Sequence, residues 1–246
     1  MIQPELDGTV ALVTGSAQGV GRELALSLAA CGASVAVHYR TSDDAAREIA
    51  DVALERGAAD SITVAGDVTD PEDVEALFEV IETDLGSVDV LVNNVGNFAP
   101  EHWAEIDVET WHDVIDTNLT ATYLCCRRVL PAMRREGYGR IINVGYASSE
   151  KGLINPKNAP YFIAKAGVLM FTRMLAADTQ EVDITVNAIS PYVVENSDVF
   201  PEELPRGRPA TFEDVAQACL FFLEEGSGYL SGENVQIDGG WLPERV

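Results

Sequence analysis

Tyr161 and Lys165 are the residues whose type and spacing offer the most chemistry. Side chains four apart share one helix face. A cation held beside a phenol favours the phenolate and would lower the tyrosine pKa from about 10 towards the range of an acid/base catalyst. Taken alone, Y-x-x-x-K is also what a surface tyrosine near a solvated lysine looks like. A second group is Gly15-Ser-Ala-Gln18-Gly19-Val20-Gly21. Its glycines allow a tight turn and close approach of backbone to a pyrophosphate, and the helix that follows presents unpaired N–H groups. Metal and thiol chemistry find no such support. Cys31, Cys125, Cys126 and Cys219 lie in apolar stretches without zinc-ligand spacing, and His38, His102 and His112 are scattered. Buried reduced thiols and no metal site are expected.

The flanking elements must bring these groups together. Thr9–Thr14 is an apolar, β-rich run leading straight into the glycine turn, and Leu24–Ala30 continues as a helix. Further strands are expected at Ser34–His38, Ser61–Val64, Val88–Val92 and Ile141–Val144, with helices between them. Asp70 followed by Pro71 marks one helix start, as a capping residue before proline at the first helical position. Strands alternating with helices at this spacing predict a parallel sheet covered on both faces, hence a single α/β domain over 1–246. Past the second strand, an acid would bind the ribose 2′-hydroxyl of NAD. Arg40, Thr41 and Ser42 stand there instead, groups suited to a 2′-phosphate, so NADP(H) is favoured over NAD(H).

Composition excludes several partners. The 246 residues carry 40 acidic against 16 basic side chains, a net charge of −24 that repels nucleic acid and anionic membranes. Only Lys151, Lys157 and Lys165 are lysines. Dense carboxylates of this kind suit a high-salt medium, where salt screens their repulsion. No apolar run approaches the ~20 residues of a bilayer span, and the N-terminus lacks the pattern of a signal peptide, so a cytoplasmic protein is expected.

The motifs, in order, resemble the short-chain dehydrogenase/reductase family over essentially the whole chain. They are T-G-x-x-x-G-x-G at Thr14–Gly21, Asp67-Val68, N-N-x-G at Asn93–Gly96, Asn118, Tyr161-x-x-x-Lys165, Val186–Pro191, the Pro205–Arg208 turn and Gly232–Gly240. The resemblance implies a Rossmann-type, doubly wound parallel sheet of about seven strands, with NAD(P) at the carboxyl ends. Gly15, Gln18, Gly19, Val20, Gly21, Arg40, Thr41, Asp67, Val68, Asn94, Gly96, Tyr161, Lys165 and Val194 are then the cofactor-binding residues. Tyr161 would be the general acid, Lys165 would tune it and hold the nicotinamide ribose, and Asn118 would position a water leading to Lys165. A homotetramer or dimer is implied, packed through the helix of Asp107–Arg135 and the Tyr161 helix. Pro131 is expected to kink or end the former.

The sequence also departs from the family. The usual serine after the fifth strand is Tyr146 counting forward from Asn143, but Ser148 counting back from Tyr161, so the intervening loop carries an insertion. Tyr146 is favoured as the hydrogen-bond donor to the substrate oxygen. Tyr192 replaces the usual glycine after Pro191, and the 192–211 substrate loop is short. Phe98, Tyr146, Leu153 and Tyr192 are expected to line the substrate pocket. The leading expectation is an NADPH-dependent reductase of a small-molecule carbonyl, either a 3-oxoacyl thioester or a small ketone. Pterin reduction is an alternative that an aromatic Phe98 and the missing serine favour, again by resemblance. A non-catalytic dinucleotide-binding protein is the third.

Overall fold

The computed structural model describes residues 2–147, 149, 156–197 and 200–241. Its strands are β1 (Val10–Val13), β2 (Ser34–Tyr39), β3 (Ser61–Ala65), β4 (Val90–Asn93), β5 (Tyr138–Val144), β6 (Asp183–Pro191) and β7 (Asn234–Ile237). They form one seven-stranded sheet in the order β3-β2-β1-β4-β5-β6-β7, parallel throughout. Alternation along each strand feeds two cores. Ala11, Val13, Val35, Val37 and Val92 face helices α1 (Gly19–Ala30), α2 (Asp43–Arg56) and α7 (Phe212–Leu223). Val10, Leu12, Ala36, Leu91 and Ile141 face α3 (Pro71–Asp84), α5 (Ala121–Glu136) and α6 (Ala159–Asp178). Both faces of a parallel sheet must be covered in this way, which is why the strands read as near-continuous apolar runs.

The strand order reverses at β1, which pairs with β2 on one side and β4 on the other. Chains diverging from that point leave a crevice at the carboxyl ends of the strands. Local signals behave as their chemistry dictates. Asp70 accepts from the backbone N–H groups of Glu72 and Asp73 at the start of α3, and Pro71 opens it. Pro131 does not end its helix: α5 runs through it to Glu136 and stops at Gly137, whose φ is +79°. A proline costs one helical hydrogen bond and some strain. Here buried Val129, Leu130, Ala132 and Met133 hold the turn in place. The expected helix of 107–135 is instead two helices, α4 (Val108–Ile115) and α5, joined by a π-helical turn, Asp116–Thr120.

Candidate active site

The glycine turn lies at the carboxyl end of β1, with Gly15 and Gly19 at positive φ. A Cβ on Gly21 would sit 2.3 Å from the Gly15 carbonyl oxygen, so the first turn of α1 can pack this closely only with glycine. No side chain caps α1 and its first turn carries no acid, which leaves its N–H groups available to an anion. Asn94 fastens the turn from β4, its amide donating to the carbonyls of Thr14 (3.0 Å) and Gly15 (3.3 Å). The Thr14 hydroxyl accepts from the backbone N–H groups of Asn94 and Val95. The Asn94 side chain is thus spent on shaping the loop.

The crevice beside this turn is a cavity of about 260 Å³ lined by Gly15, Gln18, Arg40, Thr41, Asp67, Val68 and Gly96, among others. The Arg40 guanidinium lies 3.3 Å from Asp67 and is largely exposed. Burial works against the Asp67 charge, but hydrogen bonds from Thr69 and Arg40 outweigh it and hold the carboxyl below its ordinary range. Val20 lies half-buried at the start of α1. Val194, further along the chain, is buried and donates its N–H to the Ser197 hydroxyl. A glycine cradle without a Cβ, an uncapped helix start and an arginine past β2 together fit a dinucleotide.

Two contributors to this cradle carry no sequence signal. His38 in β2 is buried; its Nδ1 accepts from the Gly15 N–H at 2.9 Å and its Nε2 lies 3.1 Å from the Gly66 carbonyl oxygen. That pairing defines the neutral tautomer with hydrogen on Nε2. Burial pushes its pKa down, against the weaker pull of the Gly66 carbonyl and Asp67. Asn196, after β6, brings its amide to 3.0 Å from where a Gly19 Cβ would be. Scattered histidines and a loop asparagine look alike in sequence wherever they lie, and only strand pairing and the return of the β6 segment bring them here.

The acid/base residues gather at the carboxyl ends of β4 and β5. Lys165, 4% exposed, donates from Nζ to the Val144 carbonyl at 2.7 Å, and Nζ lies 5.7 Å from the Tyr161 ring centre. Desolvation lowers the lysine pKa to about 8. The Tyr161 ring is partly accessible, but its hydroxyl end is enclosed; burial first, then Tyr146, pushes its pKa up rather than down. The expected lowering by Lys165 is therefore not found. The ammonium is committed to Val144, and desolvation disfavours both charged forms. Asn118 is wholly buried in the π turn, its amide donating to the carbonyls of Asn97 (2.8 Å) and Val114 (2.9 Å) while its Oδ1 has no protein partner. Gly96 makes room for it, since a Cβ there would meet that Oδ1 at 2.3 Å. Single π turns inside helices often mark functional positions.

Around Tyr161 the side chains are aromatic. Tyr146 lies edge-on to it with ring centres 5.5 Å apart, and Phe98 does so at 6.4 Å. Tyr192 meets Tyr146 at 6.2 Å and stacks on Trp241 at 4.0 Å. Of the four expected pocket residues, Phe98, Tyr146 and Tyr192 are thus brought to one place; Leu153, and the alternative donor Ser148, lie outside the described residues. All four cysteines are free and buried, and the described residues contain no cluster of possible metal ligands.

A dinucleotide cradle at the switch point of a parallel sheet, together with a Tyr–Lys–Asn set, defines an α/β nicotinamide-dependent oxidoreductase. Residues 15–242 match the family model described as enoyl-(acyl carrier protein) reductase. The chain is 34% identical to the 3-oxoacyl-(acyl-carrier-protein) reductase FabG of Haemophilus influenzae, over 96% of this chain and 98% of that one. It is 33% identical to FabG of Escherichia coli K12, over 95% and 97%. A crystal structure of the landomycin C-6 ketoreductase LanV with bound NADP and rabelomycin superposes with a TM-score of 0.88 at 29% identity, covering 98% of each chain. The chain belongs to the short-chain dehydrogenase/reductase family, and is an NAD(P)-dependent oxidoreductase similar to the FabG reductases.

Proposed function

We propose that this protein is an NADPH-dependent carbonyl reductase in which Tyr161 is the general acid. The carrying observation is the Tyr161 ring meeting the Lys165 ammonium and Tyr146, in a chain whose glycine turn fits a dinucleotide. A phenol that stays protonated at neutral pH is the form a reduction requires, because negative charge grows on the carbonyl oxygen as its carbon is reduced. A dinucleotide held by the glycine turn would supply the hydride. Tyr161 gives its proton to the carbonyl oxygen, and the Tyr146 phenol, at the position of the family's serine, hydrogen-bonds the same oxygen. Lys165, fixed on the Val144 carbonyl, stands next in the proton path, and the open Oδ1 of Asn118 is an acceptor for a water behind it. Arg40 with Thr41 favours NADPH, a preference supported by the NADP bound to LanV. Candidate substrates are 3-oxoacyl thioesters, as the FabG names suggest, and small ketones.

The test is NADPH oxidation with an acetoacetyl thioester and with dihydropterin. Tyr161→Phe should lower kcat by roughly 10²–10⁴ while NADPH binding, followed by its fluorescence, persists. Unchanged turnover would reject Tyr161 as the acid. Turnover of dihydropterin alone would favour the second reading, a pterin reductase, which rests on the exposed Phe98 ring beside Tyr161. NADPH binding without turnover of any carbonyl or pterin would leave a non-catalytic binding protein. We further propose a homotetramer or dimer assembled through α5 and α6, whose outer faces expose Tyr123, Ile163, Met170 and Met174.

A further inference from the structure

We infer that the carbonyl reduced here is carried on a flat ring system, and that the aromatic row from Phe98 to Trp241 selects it. The inference rests on the carbonyl-reductase reading and names the substrate class for that site. Ring contacts run without a break from Phe98 to Tyr161, Tyr146, Tyr192 and Trp241, with centres 6.4, 5.5, 6.2 and 4.0 Å apart. Phe98 is 45% exposed, and Tyr146, Tyr192 and Trp241 each keep accessible surface. Such rings bind other rings by offset stacking and edge-to-face contact, which adds to simple apolar burial. A flexible acyl chain gains only the burial.

One feature acts against an extended, carrier-borne acyl chain. Tyr192 meets Tyr146, with ring centres 6.2 Å apart, and also lines a cavity of about 420 Å³ bounded by Leu204, Pro205, Arg206 and Gly239. Its ring, stacked almost flat on Trp241 at 14°, is a fixed bulky group beside Tyr146 that leaves a chain less room than the family's usual glycine would. The reaction balances as for any ketone: hydride from NADPH adds to the carbonyl carbon, the Tyr161 proton adds to oxygen, and the products are a secondary alcohol and NADP⁺, with Tyr161 reprotonated from water.

The experiment compares kcat/KM for fluorenone and tetralone with that for ethyl acetoacetate and an acetoacetyl thioester, in the wild type, Tyr192→Gly and Tyr192→Phe. The wild type should prefer the ring ketones by about tenfold or more, the size expected of one or two aromatic contacts. That ratio should collapse in Tyr192→Gly and survive in Tyr192→Phe, which keeps the ring and loses only the hydroxyl. NADPH fluorescence and thermal melting confirm that each variant is folded; the wild-type ratio decides the matter even if one is not. Equal or better turnover of the acyclic substrates by the wild type overturns the inference and leaves the reductase reading standing. Turnover of neither class, with NADPH bound, overturns both.

Discussion

At the residue scale, Lys165 is a buried ammonium whose cost has a measurable signature. Its pKa falls from 10.5 unfolded to about 8 folded, because burial disfavours the ammonium. For a base with a depressed folded pKa, the unfolded chain binds more protons between those two values, so stability rises with pH there. The penalty is fully present below pH 8 and is relieved by about 3 kcal/mol as pH rises towards 10.5. Urea unfolding of wild type and Lys165→Met across this window should show the wild type gaining on the variant by that order. Parallel curves would mean that the Val144 carbonyl keeps the ammonium as stable as in water. The pairing of Tyr161 with Lys165 was legible in the sequence. The direction of the tyrosine shift was not, since it depends on how deeply the hydroxyl is enclosed and on Tyr146 beside it.

At the scale of elements, the glycine turn and the first turn of α1 form one packed unit. Gly21→Ala would drive a Cβ into the Gly15 carbonyl and the Asn94 amide, both parts of the loop that faces the cavity. Backbone cannot move aside as a flexible side chain can, so NADPH affinity should fall at least about tenfold, with a loss of stability of about 1–3 kcal/mol. Fluorescence titration and denaturant melts check the two effects separately. Wild-type affinity in this variant would show that the turn relaxes without cost. Most element types and many boundaries followed from periodicity and capping: Asp70 and Pro71 start α3. The π turn at Asp116–Thr120 had no local signature, because it reflects how Thr117 and Asn118 are drawn towards Asn97.

At the scale of the whole molecule, charge and exposed apolar surface set the behaviour. Screening of a net −24 should make thermal stability rise between low salt and molar KCl; highest stability at low salt would reject adaptation to salt. Met170 and Met174, 64% and 62% exposed, share one face of α6. Exposed apolar residues grouped on one face favour association. Light scattering should find the wild type larger than a monomer, and Met170→Glu with Met174→Glu should reduce it to smaller species. A monomeric wild type would remove the assembly proposed here. No helix among the described residues is long and apolar enough to cross a membrane.

The sequence by itself determined the parallel α/β class, the glycine turn and the Tyr161–Lys165 pair, because strand and helix periods, turn chemistry and one-turn spacing are local properties. Tertiary structure alone decided that His38 would grip the Gly15 turn and that Tyr192 would stack on Trp241. It also decided that burial would push the Tyr161 pKa up rather than down. Each of these depends on which distant segments the sheet order brings within a few ångströms, and on how completely they exclude water; residue spacing encodes neither.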